Sequence, residues 1–257
     1  MHAFLITLSG AFGLAVGSFL NVVIYRVPKG ESIVSPPSAC PSCASPIGSL
    51  DNIPVLSWLV LRGRCRTCRS PISVRYPLIE LITAALFVGL LLRMGFVWQV
   101  PAFFVLTAGL LALACIDFEH LLLPKKIVYP VTGLVGALLV MAAALTGQWH
   151  DLVVAASCAA AWLIVFFALN AASPRLLGFG DVRLAPLLGL GLGWLGVRYA
   201  LLGFFAANLI GALIGLSLIA LHRMNRQQQI PYGVFLALGT FFAIFAGPEV
   251  LRPFHQL

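Results

Sequence analysis

Apolar runs as long as a bilayer is thick constrain this chain more than any motif in it. A helix needs about 20 mostly apolar residues to cross the hydrocarbon core. Such runs cover Ala3–Tyr25, Pro77–Arg93, Gln99–Ile116, Ile127–Thr146, Leu152–Ala171, Asp181–Gly196, Arg198–Leu221 and Ile230–Gly247. The sixth is interrupted by Arg183, Pro186 and several glycines. Yet Val182–Leu221 as one helix would be about 60 Å long, twice the hydrocarbon thickness, so two spans are predicted there. Composition agrees: 61% of residues are hydrophobic, 9% are charged and the mean hydropathy is +1.02. Soluble domains are nearer half apolar and a quarter charged. The expected fold class is an all-α polytopic membrane protein with about eight transmembrane helices.

Lys and Arg set the orientation. No base precedes the first apolar run, whereas Arg26 and Lys29 follow it, the reverse of a secretory signal. The N-terminus is therefore expected outside and residues 26–76 in the cytoplasm. With eight spans, every Lys and Arg except Arg93, Arg198 and Arg252 falls inside. The net charge of +8 is thus mainly a topology signal, and no nucleic-acid partner is expected. The membrane lipid itself is the expected surrounding partner.

Three regions follow: a first transmembrane helix (1–25), a cytoplasmic insert (26–76) and a seven-helix membrane domain (77–257). The insert repeats itself. "CPSCASPI" (Cys40–Ile47) is echoed by "CRTCRSPI" (Cys65–Ile72). Two Cys-x-x-Cys knuckles offer Cys40, Cys43, Cys65 and Cys68 to one tetrahedral Zn2+. Two disulfides are the alternative, which a reducing cytoplasm disfavours. With four thiolates no position stays open for water, so the zinc is structural. An insert this small needs such a staple. Cys115 and Cys158 lie in apolar spans and read as small buried hydrophobes.

In a chain this apolar, the eight acidic residues carry the information. Asp151 and Glu249 fall at outer helix ends, and Glu31 and Asp51 in the insert. Asp117 ends the third span, which runs inward, and Asp181 begins the sixth, which runs outward. Both therefore emerge at one membrane face. Two carboxylates close together share a proton, leaving one acid and one base. That pair can activate water and polarise a peptide carbonyl, with neither metal nor covalent nucleophile. Gly178 and Gly180 would let backbone approach closely. The simpler alternatives are a helix cap at Asp181 and an ion pair from Asp117 to Lys125, Lys126 or Arg183. Glu119 and His120 read as interfacial support.

Taken in order, these segments resemble the prepilin peptidases, the Gly-x-Gly-Asp aspartic proteases of the bacterial inner membrane. The resemblance rests on "GSFLNVVIYRVP" (Gly17–Pro28), the paired Cys-x-x-Cys around "DNIPVLSWLVLRGRC" (Asp51–Cys65), and "RYPLIE" (Arg75–Glu80). It continues through "IDFEHLLLP" (Ile116–Pro124), "GFGDVRL" (Gly178–Leu184) and "IPYGVFLALG" (Ile230–Gly239). It implies an enzyme that removes the basic leader of type IV prepilins or type II secretion pseudopilins on the cytoplasmic side. Asp117 and Asp181 would be its catalytic pair, and Cys40, Cys43, Cys65 and Cys68 its metal ligands. The insert further implies methylation of the new N-terminal amine by S-adenosylmethionine. That amine has a pKa near 8 and needs no strong base. No glycine-rich cofactor fingerprint is present, and Glu80 and Asn52 read better as an interfacial acid and a turn residue. Departures from the family pattern are Lys125 and Lys126 after Pro124, Arg183 after the second aspartate, and Tyr232 and Val234. They bear on substrate preference rather than on the reaction. Two competing classes remain: a non-catalytic zinc-knuckle membrane scaffold of a secretion or pilus system, and a transporter. A transporter would place acids at the bilayer midplane. Gly13-x-x-x-Gly17 and Gly211-x-x-x-Gly215 fit a dimer or packing within the bundle, and leave the oligomeric state open.

Overall fold

The structure is a computed structural model that describes residues 2–174, 177–221 and 230–253. Arg175, Leu176, Arg223 and Arg226, which the charge and motif readings include, lie outside the described residues. Among the described residues the regular secondary structure is helical, apart from two isolated β-bridges in an otherwise irregular insert. Its helices are α1 (His2–Arg26), α2 (Leu56–Val60), α3 (Arg75–Met94), α4 (Val100–His120), α5 (Lys125–Thr146), α6 (Trp149–Ala172), α7 (Phe179–Leu195), α8 (Val197–Ala220) and α9 (Tyr232–Leu251). A 3-10 turn covers Ser49–Asn52. Among the described residues, seven helices are long and apolar enough to cross a membrane. The predicted sixth span is α7, shorter at 17 residues, or about 25 Å.

Two compact units result, Met1–Gly95 and Phe96–Leu257. In the first, α1 packs along α3 through the predicted small-residue face. A methyl group on Gly13 would lie 2.6 Å from Ala84 Cα, and one on Gly17 would lie 2.6 Å from Glu80 Cα. The glycines are consumed by packing within the unit. Asn21, buried in α1, adds Nδ2 hydrogen bonds to Gly17 O (3.3 Å) and Tyr76 O (3.1 Å).

In the second unit, α4, α7 and α9 are the most deeply buried helices. The glycines that weaken α7 as a sequence pattern make it a tight packing surface. A methyl group on Gly189 would lie 2.5 Å from Ala159 Cα of α6. Pro186 is accommodated inside the continuous helix. Cys158 is buried, with its Cβ against Gly193, as expected of a small hydrophobe.

Candidate metal centre and carboxylate site

The sequence repeat of the insert is a structural repeat. In the first knuckle Cys40 N–H donates to Ser45 O (2.9 Å) and Ala44 N–H to Cys40 O (2.9 Å). In the second, Cys65 N–H donates to Ser70 O (2.9 Å) and Arg69 N–H to Cys65 O (3.1 Å). Ala44 and Arg69, at equivalent positions, both take positive φ, 56° and 61°. Bridges Ala39–Pro46 and Arg64–Pro71 close the two loops. This folding aims all four thiols at one point: their Sγ atoms lie within 4.8 Å of one another. Cys40 Sγ and Cys68 Sγ are 3.8 Å apart. A tetrahedron with Zn–S near 2.3 Å has edges of about 3.8 Å, so the donor set fits zinc in number, chemistry and size. None of the four is in a disulfide. Hydrogen bonds from surrounding amides lower the Cys40 thiol pKa to about 6, whereas burial and the neighbouring thiols raise that of Cys43 to about 11, so the four do not ionise alike.

Polar fastenings tie the insert together. Glu80 is 7% exposed, and its Oε2 accepts Val55 N–H at 2.7 Å, so the base of α3 holds the start of α2. Glu80, read from the sequence as an interfacial acid, here accepts a backbone amide of the insert. Asn52 is exposed in the 3-10 turn. Trp58 Nε1 donates to Ile72 O (3.2 Å). Arg66 grips Asp51 with two Nε contacts (3.1 and 2.8 Å) and a third from Nη2, holding the Asp51 carboxyl below its usual range.

At one end of the second unit the chain brings together Asp117 and Asp181, from the last turn of α4 and the first turn of α7. They are 5% and 7% exposed and close enough to interact electrostatically. Leu121, left-handed at φ 51°, ends α4 with its N–H on Asp117 O (2.9 Å). The chain then turns so that buried Leu123 lies between the converging elements. A methyl group on Gly180 would meet Leu123 Cβ at 3.1 Å. A methyl on Gly233, in the first turn of α9, would meet Leu123 Cδ2 at 3.0 Å and Asp117 Oδ2 at 2.9 Å. Gly180 is therefore needed for approach to the protein's own Leu123. Gly178 stays exposed beside the Asp181 carboxylate.

Each aspartate meets a helix N-terminus. The amides of Gly233 and Val234 face Asp117, and that of Gly178 faces Asp181. Unpaired amides and the helix dipole favour negative charge at such a position. Part of the capping alternative thus holds, although Gly178, not Asp181, is the N-cap residue. The ion-pair alternative fares worse. Lys125 and Lys126 are exposed, and the Arg183 guanidinium lies 4.8 Å above the Phe179 ring. Asp117 Oδ2 is buried with no hydrogen-bond partner among the described residues. A buried acceptor left open in this way is costly unless it has work to do.

Glu119 and His120 stay exposed and approach each other at 3.9 Å. The pattern did not assign three neighbours of the site: Leu123, Gly233 and Tyr232. Tyr232 donates its Oη to Asn208 Oδ1 (3.2 Å) and is within electrostatic reach of Asp181. Only the paired break "PYG" before the last span hinted at Gly233. Its partner, Asp117, is more than a hundred residues away.

These features define a polytopic helical membrane protein with a four-thiol insert and a buried pair of carboxylates. The profile of the bacterial peptidase A24 N-terminal domain matches residues 11–94, and that of the type IV leader peptidase family matches residues 104–216. A prepilin leader peptidase/N-methyltransferase of Aeromonas hydrophila is 38% identical, over 94% of this chain and 90% of its own length. Proteins of the same description from Pseudomonas aeruginosa and Pseudomonas putida are each 33% identical. The first covers 95% of this chain and 91% of itself, the second 99% and 95%. No solved structure matches. The chain belongs to the type IV leader peptidase family and is a peptidase.

Proposed function

We propose that this protein is a bacterial inner-membrane aspartic endopeptidase, with Asp117 and Asp181 as its catalytic pair. Its substrates would be type IV prepilins or type II secretion pseudopilins, cleaved between basic leader and apolar helix at the cytoplasmic face. The observation that carries this reading is the burial of both carboxylates at one end of the second unit, within electrostatic reach of each other, with Asp117 Oδ2 lacking a hydrogen-bond partner among the described residues. The relatives' description as prepilin leader peptidases supports the substrate class.

In this reading the pair holds one proton between them. The ionised carboxylate takes a proton from water, whose oxygen attacks the scissile carbonyl carbon. The protonated carboxyl donates to the carbonyl oxygen as it becomes tetrahedral. Collapse returns a proton to the departing amine and regenerates the pair. The apolar helix of the precursor stays in the bilayer, which places the bond at the level of the site.

We assign residues 26–76 to the cytoplasm, with the N-terminus outside, on the distribution of Lys and Arg. Cys40, Cys43, Cys65 and Cys68 hold a structural Zn2+, which keeps the knuckles folded and has no open position. The relatives' description as N-methyltransferases, and the match of the bacterial peptidase A24 N-terminal domain over the insert, support N-methylation of the new N-terminal residue with S-adenosylmethionine as methyl donor. The test is a reconstituted reaction with one prepilin, with and without S-adenosylmethionine, read by mass spectrometry. Leader loss that persists in Asp181→Asn would overturn the catalytic assignment.

A further inference from the structure

Helix α2 is amphipathic in the wrong sense for a soluble insert. Its polar-tipped Trp58 faces inward, bonded to Ile72 O and packed on Gly63, where a methyl group would come within 2.8 Å of the indole. Its apolar stripe faces outward: Leu56, Leu59 and Val60 are 60%, 57% and 77% exposed. These positions are spaced i, i+3 and i+4, so they form one continuous face. Immediately after the helix, Arg62, Arg64 and Arg69 join Val60 and Leu61 around one open cavity of about 470 Å³. No carboxylate lines it.

The level of α2 is fixed by Glu80. That residue lies inside the apolar helix Arg75–Met94, five residues from its start, or about 7 Å along the axis. Because Glu80 Oε2 accepts the N–H of Val55, the residue preceding α2, the helix begins at interfacial depth. An apolar stripe there, with arginines at its end, suits the boundary between acyl chains and anionic headgroups. Arginine also presents a planar fork that matches phosphate oxygens.

We propose that α2 is an interfacial membrane-binding helix, with its Leu56–Leu59–Val60 face in the acyl boundary and the Arg62–Arg64–Arg69 cavity on the phosphate of an anionic phospholipid. This assignment rests on the membrane-spanning α3 and not on the proteolytic reading. Its tests use no catalytic readout.

The full chain, zinc-loaded, is reconstituted in nanodiscs of phosphatidylcholine with or without phosphatidylglycerol. Native mass spectrometry then counts retained phosphatidylglycerol, and Leu59→benzoylphenylalanine is photolysed to identify what touches the stripe. The expected results are a lipid adduct at position 59 and selective retention of phosphatidylglycerol. Arg62→Gln/Arg64→Gln/Arg69→Gln should weaken that retention about a hundredfold, given the contribution of each arginine near an anionic surface. Zinc content reports whether that variant's knuckles remain folded. If zinc is lost, Arg62→Gln alone, outside both knuckles, should still weaken retention several-fold. Equal retention by wild type and variants would overturn the proposal. So would an adduct to protein, or none, at position 59. Displacement of phosphatidylglycerol by inorganic phosphate at comparable concentration would also overturn it, assigning the cavity to a soluble anion.

Discussion

The four-thiol insert and the carboxylate end of the second unit bring reactive groups together by opposite means. In the insert, an eight-residue pattern occurs twice, and each copy closes on itself through the same hydrogen bonds. Only one joining of the two knuckles remains to be made, and a metal ion can supply it. At the carboxylate end nothing local suffices. Asp117, Leu123, Asp181 and Gly233 come from four separate segments, and the contacts that bring those segments together are tertiary. With the proposed zinc bound, the insert would be vulnerable to loss of that ion, and the carboxylate end to sub-ångström shifts in helix packing.

The sharpest way to separate the two regions is to remove one carboxylate. Asp117→Asn or Asp181→Asn should lower prepilin cleavage by about a thousandfold or more, as loss of an essential acid or base does. Zinc content and thermal stability in detergent should stay near wild type. Loss of zinc in either variant would show that the two regions are not independent.

The converse break is Cys43→Ser or chelation. The insert should lose its zinc and its amide protection against hydrogen exchange over residues 38–72, because folding and metal binding are one equilibrium there. Helices α4, α7 and α9 should keep theirs. Undiminished protection in the chelated insert would show that its hydrogen bonds suffice without metal.

Gly233→Ala tests whether the carboxylate end depends on close approach. The added methyl group would press on Asp117 Oδ2, and about a hundredfold loss in kcat with little change in KM is expected. Leu123→Ala relieves only the second clash, so the double variant should remain impaired. Full recovery would reduce Gly233 to a packing residue.

Glu80→Ala should have a smaller effect, about 1–3 kcal/mol on local opening at residues 53–58, because Val55 N–H loses its side-chain acceptor. Hydrogen exchange reads this directly. Arg66→Gln should have the smallest effect of all, since its pair with Asp51 is exposed and screened. Arg66 depresses the folded-state pKa of Asp51, so its contribution is present at neutral pH and vanishes as acid titrates Asp51. A pH scan of insert unfolding should show wild type and variant converging in acid.

Much of this was legible in advance, for identifiable reasons. Bilayer thickness turns composition into helices, so α1, α3–α6, α8 and α9 follow the predicted runs closely. The thiol cluster was legible because its spacing is local and repeated. The shared end of Asp117 and Asp181 followed from alternating span direction alone. Helix α7 was harder, because glycines that read as interruptions are contacts with α6. Helix α2 was missed because five residues carry too little periodicity. Gly233 was missed because its function is to be small beside a distant residue.

The sequence by itself determined that the chain is a helical membrane protein, which segments are long and apolar enough to cross, and which four sulfurs can share an ion. Hydrophobic length and local spacing suffice for those conclusions. Only the tertiary structure decided that Gly13 and Gly17 serve α1–α3 packing, and that Glu80 carries α2. It alone decided that the first turn of α9 presents its amides to Asp117. Those outcomes depend on which helix faces meet, and that is set by packing among residues far apart in the chain.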